Sequence, residues 1–249
     1  MGSPVVTAVI QARMGSSRLP GKVLLKAADE PVLSHVIRRV SAARGVDRVV
    51  VATTSEARDD CLEELAGLCG ASVTRGSEDD VLGRYVQAFD EWGGEVGIRI
   101  TADCPLQDPE LIAQGLTAYR TAAPPVDYLS NTVERSYPRG YDLEIFSVSA
   151  LRRAGEEASS AAEREHVTPF FYWHPELFRI GTLKRRDPLK SSEWRLTLDT
   201  PDDWRVLGTI IESLAPRDAL FGLADVEAFL LQRPYILQWN QHVQQKPVA

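Results

Sequence analysis

Three basic side chains, Arg13, Arg18 and Lys22, stand in a turn that also holds Gly15, Ser16, Ser17, Pro20 and Gly21. Glycines and small hydroxyls let backbone N–H groups close around phosphate oxygens, while guanidinium and ammonium groups supply the countercharge. The chemistry such a loop serves is the binding of a polyphosphate. Its charge is not an accident of composition: 35 acids in 249 residues predict about four in the first 28 positions, where there are none. The same window holds Arg13, Arg18, Lys22 and Lys26. It is not the phosphate loop of ATPases, because Val23 follows Lys22 where a Ser or Thr is required, and the glycine spacing of a dinucleotide fingerprint is missing too. A solvated basic turn is the alternative.

The run Gln11-Ala12-Arg13-Met14-Gly15-Ser16-Ser17-Arg18-Leu19-Pro20-Gly21-Lys22 resembles the signature loop of sugar-acid cytidylyltransferases. These enzymes join CTP to 3-deoxy-manno-octulosonate or to sialic acids. The continuation Lys22-Val23-Leu24 is most similar to their relatives, the spore-coat polysaccharide biosynthesis protein F family. The resemblance implies a Rossmann-like nucleotidyltransferase fold of the α/β class, a mostly parallel central sheet with helices on both faces and a small β-containing arm. It also implies that Gln11, Ala12, Arg13, Gly15, Ser16, Ser17, Arg18 and Lys22 surround the nucleotide, with Arg13 and Lys22 acting on its phosphates.

Length and composition agree with a single domain over residues 1–249, with 126–195 as a substrate-binding or dimerisation arm inserted in it; 44% hydrophobic residues are ample for a core. A net charge of −7 disfavours nucleic acid and anionic membrane as partners. With no apolar run of membrane-spanning length and no signal segment, a cytoplasmic protein is expected. Cys61, Cys69 and Cys104 have neither the number for a disulfide framework nor the spacing for a zinc site.

The positioning elements follow from periodicity. Val5 to Ile10 reads as a buried first strand that opens into the loop, and Pro31 to Ala43 as a helix burying Val32, Val36, Ile37 and Val40. Arg48 to Ala52 reads as a strand, Ser55 as the cap of a helix running to Gly70, and Ser72 to Thr74 as a third strand. This alternation predicts parallel strands with crossover helices. Ser77 with Asp80 reads as a capping box for the helix through Leu82, Tyr85, Val86 and Phe89, and the resemblance adds contact between Ser77 and the nucleotide base. Val96 to Thr101 then leads into Asp103, a carboxylate just past the end of a central strand, on the edge where such sheets bind ligands. Asp108 and Pro109 start the next helix.

Beyond Pro125 the expected strands are Tyr128 to Ser130, Asp142 to Phe146, Phe178 to Leu183 and Glu193 to Leu198. Alternation puts Asp142 and Glu144 on one strand face, either solvated or accepting hydrogen bonds from sugar hydroxyls. Resemblance to the family's Gly-x-Asp-x-Glu stretch favours the substrate, and brings in Arg139. His166 would touch substrate or serve as an ordinary cap. The aromatics Phe170 to Trp173 suit a core or subunit contact. The basic run Lys184, Arg185, Arg186 and Lys190 reads as a solvated loop, with an anion site as the alternative. Thr200 as N-cap, Pro201 at N1 and Asp203 at N3 start a helix, which leaves Asp199 unexplained. Asp199 resembles the second metal-binding Asp of cytidylyltransferases. The polar ending from Asn240 resembles that of the spore-coat family.

Together these imply a Mg²⁺-dependent cytidylyltransferase with CTP and a small acidic acceptor as partners, and a homodimer. Asp103 and Asp199 would carry the metal, and Cys104 would be a bystander. A nucleotide-sugar glycosyltransferase and a noncatalytic nucleotide-binding protein are the alternatives. Lys22→Ala and Arg18→Ala are expected to leave the fold intact, and loss of Asp103 or Asp199 to leave stability unchanged or higher, because two carboxylates sharing a site repel.

Overall fold

Val6, Ala8 and Ile10 alternate with Thr7 and Val9 along strand β1 (Val6–Gln11), and all five side chains are fully buried. That requires cover on both sides of the strand, which is the situation of a parallel sheet between helical layers. Val6, Ala8 and Ile10 join a core with Val32, Val36 and Ile37, whereas Val9 joins a second core with Tyr85 and Phe89. The computed structural model describes residues 2–185 and 190–245.

In chain order, β1 is followed by a two-residue hairpin, β2 (Lys26–Ala27) and β3 (Glu30–Pro31), then α1 (Val32–Ser41), β4 (Arg48–Thr54), α2 (Asp60–Leu68) and β5 (Ser72–Gly76). Next come α3 (Val81–Trp92), β6 (Val96–Thr101), α4 (Pro109–Thr121), β7 (Tyr128–Ser130), β8 (Glu144–Ser147) and α5 (Val148–Glu157). The short helices α6 (Ala161–His166) and α7 (Pro169–Trp173), the strand β9 (Ile180–Thr182), and α8 (Pro201–Leu214) and α9 (Leu223–Leu231) complete the described chain.

Seven strands form one sheet in the order β5-β4-β1-β6-β8-β7-β9, in which β8 alone runs against the others. The mostly parallel α/β architecture expected from the sequence is therefore present. Because the chain moves outward from β1 through β4 to β5 and then returns to β6 on the other side, β1 and β6 flank the topological switch point. A crevice opens there, beyond the carboxyl ends of the strands. Among the described residues no helix is long and apolar enough to cross a membrane.

Local expectations fail where a nearby group competes. Ser77 does not cap α3: Asp80 does, its side chain accepting from the Gly83 N–H, while Ser77 Oγ only receives the Asp80 N–H at 3.3 Å. Ser55 caps nothing, because a 3-10 turn at Ala57–Asp59 precedes α2. Asp142 lies outside β8, so Asp142 and Glu144 do not share a strand face. Residues 193–198 are not a strand, since their partners are loops: Leu196 N–H bonds Arg139 O at 2.7 Å and Leu198 N–H bonds Asp103 O at 2.8 Å. This close approach needs Gly140, whose φ is +107° and whose added Cβ would lie 2.0 Å from Leu196 O. Phe170 and Phe171 are buried against Tyr128 and Phe178, while Trp173 stays exposed.

Candidate active site

The loop leaving β1 is held by its backbone. Ala12 N–H continues the ladder to Ala52 O at 3.2 Å, and Met14 N–H donates to Asp59 Oδ1 at 2.7 Å. Asp59 is fully buried and also receives the Thr54 hydroxyl. The turn closes with Gly21 N–H on Met14 O at 3.1 Å, and Gly21 takes a left-handed φ of +69° that delivers Lys22 into a one-turn 3-10 helix.

Lys22 points from that turn into the crevice. Its Nζ donates to Asp103 Oδ2 at 2.8 Å, Asp199 Oδ1 at 2.9 Å and the Leu198 carbonyl at 2.6 Å. The two carboxylates, one after β6 and one before α8, are thus brought to a single cation. Arg18 lies 2.9 Å from Asp199 Oδ2, and Arg195 reaches the same oxygen at 2.8 Å. Burial alone would push the Asp199 carboxyl up, but Lys22, Arg195 and Arg18 hold it below the usual range; burial likewise opposes the Lys22 ammonium, which Asp103 and Asp199 more than offset.

This arrangement corrects two stability expectations. Asp103 and Asp199 do not face each other unscreened, because Lys22 lies between them; removing Asp199 strands cations rather than relieving repulsion. Nor is Lys22 an exposed loop charge, as its side chain is only 11% accessible.

Other expected residues fall into three groups. Arg13 turns away from the acids to Glu78 at 3.4 Å, beside the exposed Ser77. Gly15 is the floor of that contact, since a Cβ there would meet Glu78 Oε1 at 3.0 Å; Ser16 Oγ receives Leu19 N–H at 3.4 Å, and Ser17 is exposed. Gln11 Oε1 accepts from Arg99 Nε at 3.1 Å, and Arg99 also pairs with Glu144, whose second oxygen takes the Tyr128 hydroxyl at 2.6 Å. Glu144 is buried in this cluster rather than solvated. His166, at the end of α6, is half-buried near the Arg99 charge, and burial lowers its pKa. Asp142 forms a two-point pair with Arg135 at 2.6 and 3.1 Å, and the neighbouring Arg139 makes no side-chain hydrogen bond or ion pair with any described residue.

The basic run splits. Lys184 pairs with Glu134, Arg185 pairs with Glu227 at 2.5 Å, and Arg186 lies outside the described residues. The Cys104 thiol is buried and pushed up by that burial and by Asp103, which keeps it protonated. Arg195, Asp59 and Arg99 went unremarked in the sequence; no local motif distinguishes them.

The described residues contain no cluster of three or more His, Cys, Asp or Glu able to cage a metal. Two carboxylates already sharing one cation do match Mg²⁺, which takes one or two carboxylates and completes its shell with phosphate oxygens and water.

A cationic crevice with two convergent carboxylates thus lies at the switch point of the mostly parallel sheet. The chain belongs to the cytidylyltransferase family, whose sequence model matches residues 7–213. It is 35% identical to an uncharacterised protein of Methanocaldococcus jannaschii over 97% of this chain and 96% of that one. It is 32% identical to the spore coat polysaccharide biosynthesis protein SpsF of Bacillus subtilis, over 84% and 87% of the two chains. Among solved structures, a cytidylyltransferase from Leptospira borgpetersenii superposes with a TM-score of 0.88 at 32% identity, covering 97% of this chain and 98% of that one. The fold is shared with a CMP:2-keto-3-deoxy-manno-octonic acid synthetase complexed with CTP, at a TM-score of 0.63 and 20% identity over 84% and 99% of the chains.

Proposed function

We propose that the protein transfers CMP from CTP to a sugar acid or similarly acidic acceptor and releases pyrophosphate. The observation that carries this reading is the meeting of Asp103 and Asp199 on the Lys22 ammonium, beneath the Arg18 loop. An acceptor oxygen bonds to the α-phosphorus, the bond from that phosphorus to the bridging oxygen breaks, pyrophosphate departs with that oxygen, and the acceptor's proton passes to solvent. The protein's task is to hold the reactants in line and to neutralise phosphoryl charge.

In this reading Lys22 and Arg18 turn from the carboxylates to the triphosphate when nucleotide binds, and Asp103 and Asp199 then hold Mg²⁺. Bound there, Mg²⁺ would polarise the α-phosphoryl group and acidify the attacking hydroxyl. Ser77, Arg13 and the backbone of Ala12, Gly15, Ser16 and Ser17 would surround base and phosphates. Arg139, a half-buried guanidinium that makes no ion pair with any described residue, would take the acceptor carboxylate, with Asp142, Glu144 and His166 lining the acceptor's path. The reading carries with it a cytoplasmic location and a homodimer built through 126–195.

The test is incubation with CTP, Mg²⁺ and a panel of sugar acids and other small acids, read by mass spectrometry for CMP adducts and by pyrophosphate release. An adduct with stoichiometric pyrophosphate is expected. Release of a free nucleotide in a parallel incubation with nucleotide-sugars in place of CTP would make it a glycosyltransferase, and CTP binding without turnover a noncatalytic binder.

A further inference from the structure

The polar ending returns to the active site. Ile236 is buried in the core, Trp239 lies under the Arg205 guanidinium at 3.9 Å, and together they lead the chain to Asn240, which is only 2% exposed. Asn240 Nδ2 donates to Arg195 O at 3.0 Å and to Asp203 Oδ1 at 2.9 Å, using both of its N–H groups. Five residues on, Gln245 Oε1 accepts from Arg195 Nη1 at 2.6 Å.

These contacts converge on one guanidinium. Arg195 Nε donates to Asp203 Oδ1 at 2.9 Å, and Nη2 donates to Asp203 Oδ2 at 3.1 Å and to Asp199 Oδ2 at 2.8 Å. Asp203 is fully buried and also accepts the Asp199 and Thr200 N–H groups, each at 3.0 Å. Asp199 is therefore fixed twice, through its carboxylate by Arg195 and through its backbone by Asp203. Asn240 holds both of those residues. An exposed ending with only a packing role would have no need of a buried amide with both donors spent on the neighbours of one carboxylate.

We propose that Asn240 and Gln245 form a positioning element for Asp199, with Asn240 as the positioning residue and Gln245 steadying the outer edge of Arg195. The inference rests on the reading of Asp199 as a metal-holding carboxylate. Groups that orient a metal ligand typically change metal affinity about tenfold to a hundredfold when removed.

The experiment titrates Mn²⁺ against the full-length protein with CTP and no acceptor, following free Mn²⁺ by electron paramagnetic resonance, beside circular dichroism and melting curves. Asn240→Ala should stay folded and weaken Mn²⁺ binding by about tenfold or more. Asn240→Asp, which keeps the shape but loses the donor, should not rescue it. Gln245→Ala, at an exposed position, should weaken binding less and in the same direction, and it carries the test if Asn240→Ala does not fold. His242→Ala, which removes only the exposed contact with Asp202, should bind Mn²⁺ as the wild type does. Asp199→Asn is run alongside. If it loses Mn²⁺ while the folded Asn240 and Gln245 variants bind normally, the positioning role is overturned and the site reading stands. If Asp199→Asn binds Mn²⁺ normally, the site reading fails and the inference falls with it.

Discussion

Lys22 Nζ lies 2.9 Å from Asp199 Oδ1, and the same ammonium spans to Asp103. The protein thus carries its own cation between the two acids where the proposed reaction needs a metal. This gives Lys22→Ala two effects of opposite sign. CTP turnover should fall by roughly tenfold or more, the loss typical of one charge-assisted contact. Affinity for Mn²⁺ without nucleotide should rise, because the carboxylates are left without their ammonium. Stability should drop by about 1–3 kcal/mol. A pyrophosphate-release assay, calorimetric metal titration and thermal melts of the variant test turnover, metal affinity and stability in turn; unchanged metal affinity would show that Lys22 does not compete for the acids.

Asp103→Asn and Asp199→Asn should both remove most turnover, yet differ in stability. Asp199 meets Lys22, Arg18 and Arg195, whereas among the described residues Lys22 is the one cation paired with Asp103. Asp199→Asn should cost about 1–3 kcal/mol and Asp103→Asn less. Denaturant melts of the two variants in chelator compare them; equal loss would mean that the extra cations contribute nothing.

Arg139→Ala should raise the KM for the acceptor roughly tenfold to a hundredfold, as expected for one charge-assisted contact, while leaving the KM for CTP in place. Burial and the Arg135 charge already disfavour its cation, so thermal stability should hold or increase. Steady-state kinetics in both substrates, beside a melt, decide this. A rise confined to CTP would move Arg139 to the nucleotide.

Acid should weaken the fold through its carboxylates that are held low, Glu163 and Glu227 below their ordinary value of 4.5 and two aspartates below their ordinary value of 3.8. Burial opposes both aspartates, but Lys22, Arg195 and Arg18 hold Asp199 down, and Arg164 with the Gly83 N–H holds Asp80 down. With folded values below unfolded ones, their contribution is complete above the unfolded pKa and is lost as pH falls through the folded pKa. Melting temperature measured from pH 6 downward should therefore decline most steeply below about pH 4. The decline should be shallower in Arg164→Ala, whose Asp80 has lost its partner.

Local chemistry was readable wherever neighbours in sequence settle it. The buried run of β1, the Thr200–Asp203 capping box and the Asp108-Pro109 helix start all depend on residues within a turn of one another, and each stands in the structure. The basic loop was legible for a different reason, as an acid-free cationic island in an acidic chain. What stayed hidden depends on partners far along the chain. Arg195 looks like any charged residue between apolar ones until Asn240 and Gln245 arrive, and Asp59 gives no sign that it receives the Met14 amide. Residues 193–198 alternate like a strand, but their hydrogen bonds go to Arg139 and Asp103. At α3 two caps competed, and Asp80 won because it also holds Arg164 at its side chain.

Asn240 and Gln245 follow every described strand of the sheet in the chain, so during synthesis their bonds to Arg195 can form only after those strands have been made. A nascent chain in which Asn240 and Gln245 are still inside the ribosome can have its mostly parallel sheet and its basic loop in place while Asp199 lacks that brace. On the proposed reading such a chain would hold its metal more weakly, by about tenfold or more. Emergence of Asn240 and Gln245, rather than closure of the sheet, then marks the moment at which the proposed carboxylate is fully braced.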